Sequence, residues 1–337
     1  MSVVSSPLAA RRPPWPFLYA AILLTAAAAL ITEISFTRIF SVVFYYHFAF
    51  LAVSVALFGL GAGGVLAYYF AKPGPLYDRL GLLTLANAVS VTAALAVAVR
   101  AGAWPAGFLT YAAVYFATAV PFVFSGIVLS LIIAETIERV DRVYFFDLLG
   151  AAAGCLLVIP FLNLMGGPGA ILGAAVLLAA AAAVWFGLAG AWAGRALATT
   201  VALALVGLLV ANRSLRLVDV TAAKGRDLGP ELFVQWNSFS RVSLIEDSRG
   251  EPLILIDADS SSRIPAFDPQ ALRPEERERL LLRGPGYAFR LRPGGRTLVI
   301  GAGGGWDVAR AIASGSKHVT AVEINPIIAD TIMRGRF

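Results

Sequence analysis

Apolar residues run almost unbroken through seven stretches in the first two-thirds of the chain, at 17–40, 47–70, 80–99, 105–134, 144–164, 170–189 and 192–211. A hydrocarbon core about 30 Å thick takes about 20 helical residues to cross, and an unpaired polar group inside it costs several kcal/mol. The pattern therefore predicts a polytopic α-helical membrane domain over 1–211. Beyond it the period changes. LFVQWNSFSRVSLIED, a turn at Ser248, Arg249 and Gly250, and PLILIDAD alternate as a β-hairpin does. Arg273 to Leu282, with Pro274 near its start and Glu275, Glu276 and Glu278 early, reads as a short helix, and Gly284, Pro285 and Gly286 break the chain after it. Arg296 to Glu323 then reads as strand, glycine-rich turn, helix and strand. Three parts follow: a membrane domain of about seven helices over 1–211, a linker and small β-hairpin module over 212–292, and the N-terminal part of an α/β cofactor-binding domain over 293–337.

Charge sharpens the division. Residues 1–211 hold nine Lys/Arg and six Asp/Glu, and residues 212–337 hold 18 and 15, a net +3 in each part, which is too little to point to nucleic acid. The single cysteine, Cys155, lies in an apolar run, so it forms no intrachain disulfide or cysteine-based metal site. No metal site is expected. The first apolar run is too long for a cleaved signal peptide and stays as a span. Gly59 with Gly63 and Gly150 with Gly154 lie four apart on helices, where backbones can cross closely, within the chain or between copies in an oligomer. Seven basic residues (Arg11, Arg12, Lys72, Arg79, Arg139, Arg142 and Arg195) fall in connections on one side of a seven-span arrangement, against Arg38 and Arg100 on the other. Taken alone, that bias makes the seven-residue side cytoplasmic and puts 212–337 outside. A metabolic cofactor site argues for the reverse, so the expectation is an integral protein of the cell (inner) membrane with a cytoplasmic C-terminal part. Glu33, Arg38 and Asp147 are ionisable groups within spans, which are costly and often functional.

The glycine turn carries the chemistry. Gly301, Ala302, Gly303 and Gly305 follow a strand and open a helix, a Rossmann-like start in which backbone can approach a ligand that a Cβ would block. Glu323 ends the next strand, 22 residues after Gly301, where a carboxylate can accept hydrogen bonds from both ribose hydroxyls. A dinucleotide fingerprint needs a glycine where Trp306 stands, and Asp307 puts negative charge where a helix N-terminus would attract phosphate. A sulfonium nucleoside such as S-adenosylmethionine, which has ribose and an ammonium but no phosphate, suits this set better.

The segment resembles motif I and the acidic loop of class I S-adenosylmethionine-dependent transferases. With TEISFTRIFSVVFYYHFAFLAVSVALFGLGAGG from Thr32, VYFFDLLGAAAGC from Val143, and WNSFSRV leading into LILIDADSSSRI, the chain is similar to membrane-fused spermidine synthase-like proteins, and the similarity stops inside the Rossmann domain. The resemblance implies S-adenosylmethionine or its decarboxylated form as cofactor, bound over Gly301, Gly303 and Gly305 with Glu323 on the ribose, and an aminopropyl or methyl group passed to a small amine or other acceptor. Soluble members carry a Tyr-His-Glu cluster where Arg273–Ala288 has one Tyr and no His, and an acidic residue where Gly304 stands. Their catalytic aspartate follows a later strand, so no catalytic residue is nominated, and this chain alone is expected to be nearly inactive and frayed at its end. Asp257 and Asp259 near the hairpin read equally well as solvated loop residues. The alternative is a membrane transporter, with polyamines as candidate cargo, whose tail senses a nucleoside or binds nothing.

Overall fold

The computed structural model describes residues 15–71, 74–282 and 284–336. Contacts divide the chain into two compact units, Met1–Asp227 and Leu228–Phe337.

In the first unit, six helices among the described residues are long and apolar enough to cross a membrane: α1 (Trp15–Val43), α2 (Ala49–Phe70), α3 (Leu76–Arg100), α4 (Phe108–Glu135), α5 (Val140–Ala189) and α6 (Trp192–Leu215). Seven apolar runs become six helices because 144–164 and 170–189 both lie in α5. Drawn straight, its 50 residues would extend about 75 Å, more than twice the hydrocarbon core. They do not run straight. At Gly166 the backbone leaves the helix (φ 72°, ψ 177°), and Pro168, which has no N–H to lose, starts the next turn. A Cβ on Gly173 would lie 2.8 Å from the Phe161 ring, whereas a straight helix would hold these positions about 18 Å apart. The arms 140–165 and 167–189 thus fold back on each other.

The second arm is the centre of the unit, with Ala170, Ile171, Leu172, Ala175 and Trp185 fully buried. Large apolar side chains point outward instead: Phe50, Val65, Phe108 and Leu203 are all exposed. Such a surface would be a liability in water and is what a lipid contact requires. The glycine pairs are used inside the chain. A Cβ on Gly59 would lie 2.6 Å from Phe122 Cβ, and one on Gly154 would lie 2.6 Å from the Ala27 carbonyl oxygen; Gly63 and Gly150 meet α4 and α1 backbone just as closely. These faces join α2 to α4 and α5 to α1. An Asn87 amide donating to Ser125 Oγ (2.9 Å) links α3 to α4.

After α6, two short strands, β1 (Ala222–Ala223) and β2 (Arg226–Asp227), pair around Lys224 and Gly225, both at positive φ. The Lys224 N–H donates to the Val43 carbonyl (2.7 Å) and the Gly225 N–H to the Gly102 carbonyl (3.1 Å). The chain therefore leaves α6 at the end of the bundle where α1 and α3 also finish. Composition changes near Asn212, but residues up to Asp227 belong to the membrane unit for this reason. Arg213, Arg216, Lys224 and Arg226 then join Arg38 and Arg100 at this end, six against the seven that the sequence assigns to the other, of which Arg11, Arg12 and Lys72 lie outside the described residues. The seven-to-two charge bias disappears once these membrane-proximal residues are counted.

The second unit opens with an antiparallel sheet of four strands, β3 (Phe233–Trp236), β4 (Arg241–Glu246), β5 (Pro252–Ile256) and β6 (Ser260–Arg263), in that order. The sequence pattern marked its central hairpin. Asp247 shapes the β4–β5 turn by accepting from the N–H groups of Arg249 (2.8 Å) and Glu251 (3.1 Å). Asp257 accepts from the Arg241 N–H (2.8 Å), which gives it a structural duty. The helices α7 (Pro274–Leu281) and α8 (Gly286–Leu291) follow; α7 is capped where Glu276 accepts from the Arg273 N–H (3.1 Å). Next come β7 (Thr297–Ile300), α9 (Trp306–Ala313) and β8 (Val319–Val322), with β7 and β8 parallel and Ile300 level with Val322. A last helix, Ile327–Arg334, has the wide π hydrogen-bond pattern. Its Ile327, Ile328 and Ile332 are buried against Val242, Leu244, Ile254 and Ile264 of the antiparallel sheet and its flank. The expected frayed end is replaced by a packed one, because this helix supplies the other half of the sheet's core.

Candidate cofactor site

The site starts at the parallel pair. Where β7 ends, the N–H groups of Gly301 (2.8 Å) and Ala302 (3.1 Å) both donate to the Val322 carbonyl, so the turn is clamped to the end of β8. Gly301 (φ 76°), Gly303 (φ 51°) and Gly305 (φ 89°) occupy the left-handed region that favours glycine. Glu323, the residue after β8, bridges the turn: one carboxylate oxygen accepts from the Gly303 N–H (2.9 Å) and the other from the Asn325 N–H (2.9 Å). Gly301, Ala302, Gly303, Gly305 and Glu323 are thus brought together in one loop. Around Gly301 a Cβ would meet nothing within 4 Å, which leaves that face of the turn open.

Gly304 explains itself by packing. It has no positive φ, yet a Cβ there would lie 2.7 Å from the Arg263 carbonyl carbon and nearer still to its oxygen. Its N–H donates to Ser262 Oγ (2.8 Å). Strand β6 therefore lies directly on the glycine turn, and the acidic residue that the resemblance implies at this position would collide with it. The turn's donors are all engaged. Gly303 gives its N–H to Glu323, Gly304 to Ser262, Gly305 to the Ala302 carbonyl (2.9 Å), and Gly301 and Ala302 give theirs to Val322. A pyrophosphate cradle needs such donors free.

Asp307 is placed in the first turn of α9 as expected, but it does not stand as a lone charge. Its carboxylate pairs with the Arg310 guanidinium at 2.6 Å. That guanidinium also lies over the Trp306 ring, 5.7 Å from its centroid, and Phe267 meets the same indole edge-on at 5.6 Å. Trp306 is thus held in the position where a dinucleotide fingerprint has glycine. Its indole Nε1 is buried with no partner among the described residues.

Asn325, whose N–H donates to Glu323, is itself held by polar side chains of the antiparallel sheet's first turn. Asn325 Nδ2 donates to Ser240 Oγ (2.8 Å), and Asn237 Nδ2 donates to Asn325 Oδ1 (2.8 Å). Asn237 Oδ1 in turn accepts from the Phe239 and Ser240 N–H groups (2.9 Å each), closing the β3–β4 turn. WNSFSRV therefore acts as a buckle between the antiparallel sheet and the Glu323 loop. Nearby, Arg241 is 1% exposed and makes two bonds to the Glu231 carboxylate, at 2.8 and 2.7 Å. Sequence reading missed Ser262, Asn325 and the pairing of Asn237 with it. A cue existed for Asn325: an Asn before Pro326 is a helix start, and Asn325 Oδ1 caps the Ile327 N–H (3.1 Å). Ser262 gave no cue, being one of three serines in a short strand.

Among the described residues no group of three or more His, Cys, Asp or Glu is placed to hold a metal ion. Comparison with protein-family models, curated proteins and solved structures finds no match, so the residues and their geometry carry the functional reading.

Proposed function

We propose that the chain is a membrane-bound, spermidine synthase-like transferase that binds S-adenosylmethionine or decarboxylated S-adenosylmethionine at the β7–α9 turn and passes an aminopropyl or methyl group to a small amine or other acceptor. One observation supports this most: the turn keeps a ribose acceptor while using up its phosphate donors. A carboxylate offers about four lone-pair positions. Glu323 spends two on Gly303 and Asn325, which leaves two for a ribose diol beside the open face of Gly301. With all five N–H groups from Gly301 to Gly305 engaged, a phosphate-free nucleoside is favoured over a dinucleotide. Such a cofactor calls for a cytoplasmic C-terminal unit at the cell (inner) membrane, which the six-to-seven distribution of basic residues permits.

Calorimetry of the intact chain in lipid nanodiscs, titrated with each cofactor form, tests the proposal. Saturable binding of one form is expected, weakened about 100-fold in Glu323→Gln, which keeps one acceptor for Gly303 but loses the charge that strengthens both diol bonds. No binding by the intact chain, or undiminished binding by the variant, would sink it.

A further inference from the structure

The membrane unit contains a second candidate site. A cavity of about 110 Å³ lies between α1, α2, α4 and α5, lined by Ile22, Thr25, Leu60, Ser125, Val128, Asp147 and other residues of the same four helices. A water needs about 10–15 Å³ of such space, so several heavy atoms fit. Asp147 is the one acidic residue in the lining. It stands seven residues into α5, next to Phe146, which stacks on Tyr19 in the second turn of α1, and its side chain is partly buried. No hydrogen bond or ion pair ties Asp147 to another described residue. A carboxylate within a span and without a partner is costly, and such carboxylates mark ligand or ion paths.

We infer that this cavity binds an organic ammonium ion with a short apolar substituent, its charged end on Asp147. The lining decides between cations. A bare metal cation needs six or more oxygen ligands, and beyond Asp147 the cavity offers only two hydroxyls. Of these, Thr25 already donates to the Ala21 carbonyl (2.8 Å) and Ser125 accepts from Asn87 (2.9 Å). Both retain acceptor capacity, as an ammonium with three donors requires. The rest of the wall is aliphatic, which rewards an alkyl group and repels a hydrated ion. The site is separate from the glycine turn, and neither depends on the other.

The test uses the intact chain in lipid nanodiscs at neutral pH and n-butylammonium as probe, with n-butanol as the uncharged counterpart. Saturable butylammonium binding is expected, with n-butanol weaker by about tenfold or more, the worth of a charge-assisted hydrogen bond. Asp147→Asn keeps the shape and removes the charge, so it is expected to lose a similar factor. Ala151→Leu fills the cavity from α5 with Asp147 intact and is expected to lose binding too. The inference fails if the intact chain shows no saturable binding, if Asp147→Asn binds as well as the parent, or if Ala151→Leu leaves binding unchanged. Both variants should keep the parent's circular dichroism and thermal unfolding midpoint in nanodiscs, which shows that the fold is intact whether or not the glycine turn binds a cofactor.

Discussion

Replacing Gly304 by alanine tests the union of the β module with the glycine turn. Gly304 has no positive φ, so alanine carries no conformational penalty there and the whole effect is steric. The new Cβ would sit 2.7 Å from the Arg263 carbonyl carbon, a separation at which backbone must move rather than a side chain turn. Overpacking of this kind costs about 1–3 kcal/mol, and pushing β6 away also breaks the Gly304 N–H to Ser262 bond, worth about 1 kcal/mol. The sum, about 2–4 kcal/mol, corresponds to about 30- to 700-fold faster opening at 1.4 kcal/mol per decade. Native-state hydrogen exchange of the intact chain in nanodiscs reads this directly, in the amides of β6 and of the turn together. Gly301→Ala is the contrast. A Cβ there meets nothing within 4 Å, but φ is 76°, so the cost is conformational, about 1–2 kcal/mol, and confined to the turn. If Gly304→Ala left exchange in β6 at the parent rate, direct seating of β6 on the turn would be refuted.

Two further outcomes follow from the same unit. Glu231→Ala removes the carboxylate that makes two bonds to the buried Arg241 guanidinium, and a loss of about 3–5 kcal/mol is expected in exchange protection of β4, most of it recovered by Glu231→Leu with Arg241→Met; a loss below about 1 kcal/mol would contradict the pairing. Asp247 is held below the usual carboxylate range, first by the Arg249 and Glu251 N–H groups and also by Arg263. A lowered folded-state pKa means that the stabilisation is present above the ordinary carboxylate value and lost as pH falls through the lower one. Amide exchange at Arg249 and Glu251 should accordingly speed up in acid, and Asp247→Asn should remove that acid step; a variant with the parent's pH profile would show that another group is responsible.

The membrane part was legible because one rule dominates it. Length and apolarity located the apolar runs to within a few residues of the helix ends, and the glycine pairs marked faces for close crossing, which the structure fills with α4 against α2 and α1 against α5. The sequence could not show that 144–164 and 170–189 meet at a single backbone reversal, since the Met165–Gly169 run reads only as a break in helix. In the candidate cofactor site the closeness of the glycine turn to Glu323 was visible, because spacing from a strand end is a local property. Ser262, Asn237 and Asn325 were not, because their bonds link positions 42 and 88 residues apart, and nothing local to a serine or asparagine announces such a partner. The same long-range contact with β6 accounts for Gly304, which the local pattern could register only as a missing acid.

Gly166 governs more than a bend. With its φ at 72°, α5 is two antiparallel arms, each long enough to pass through a bilayer. If both arms cross, seven passages would put the two ends of the membrane unit on opposite faces. Were the same 50 residues one rod, the passages would be six and the faces the same. This one backbone angle therefore decides whether the two ends of the membrane unit would share a face of the bilayer or be divided by it.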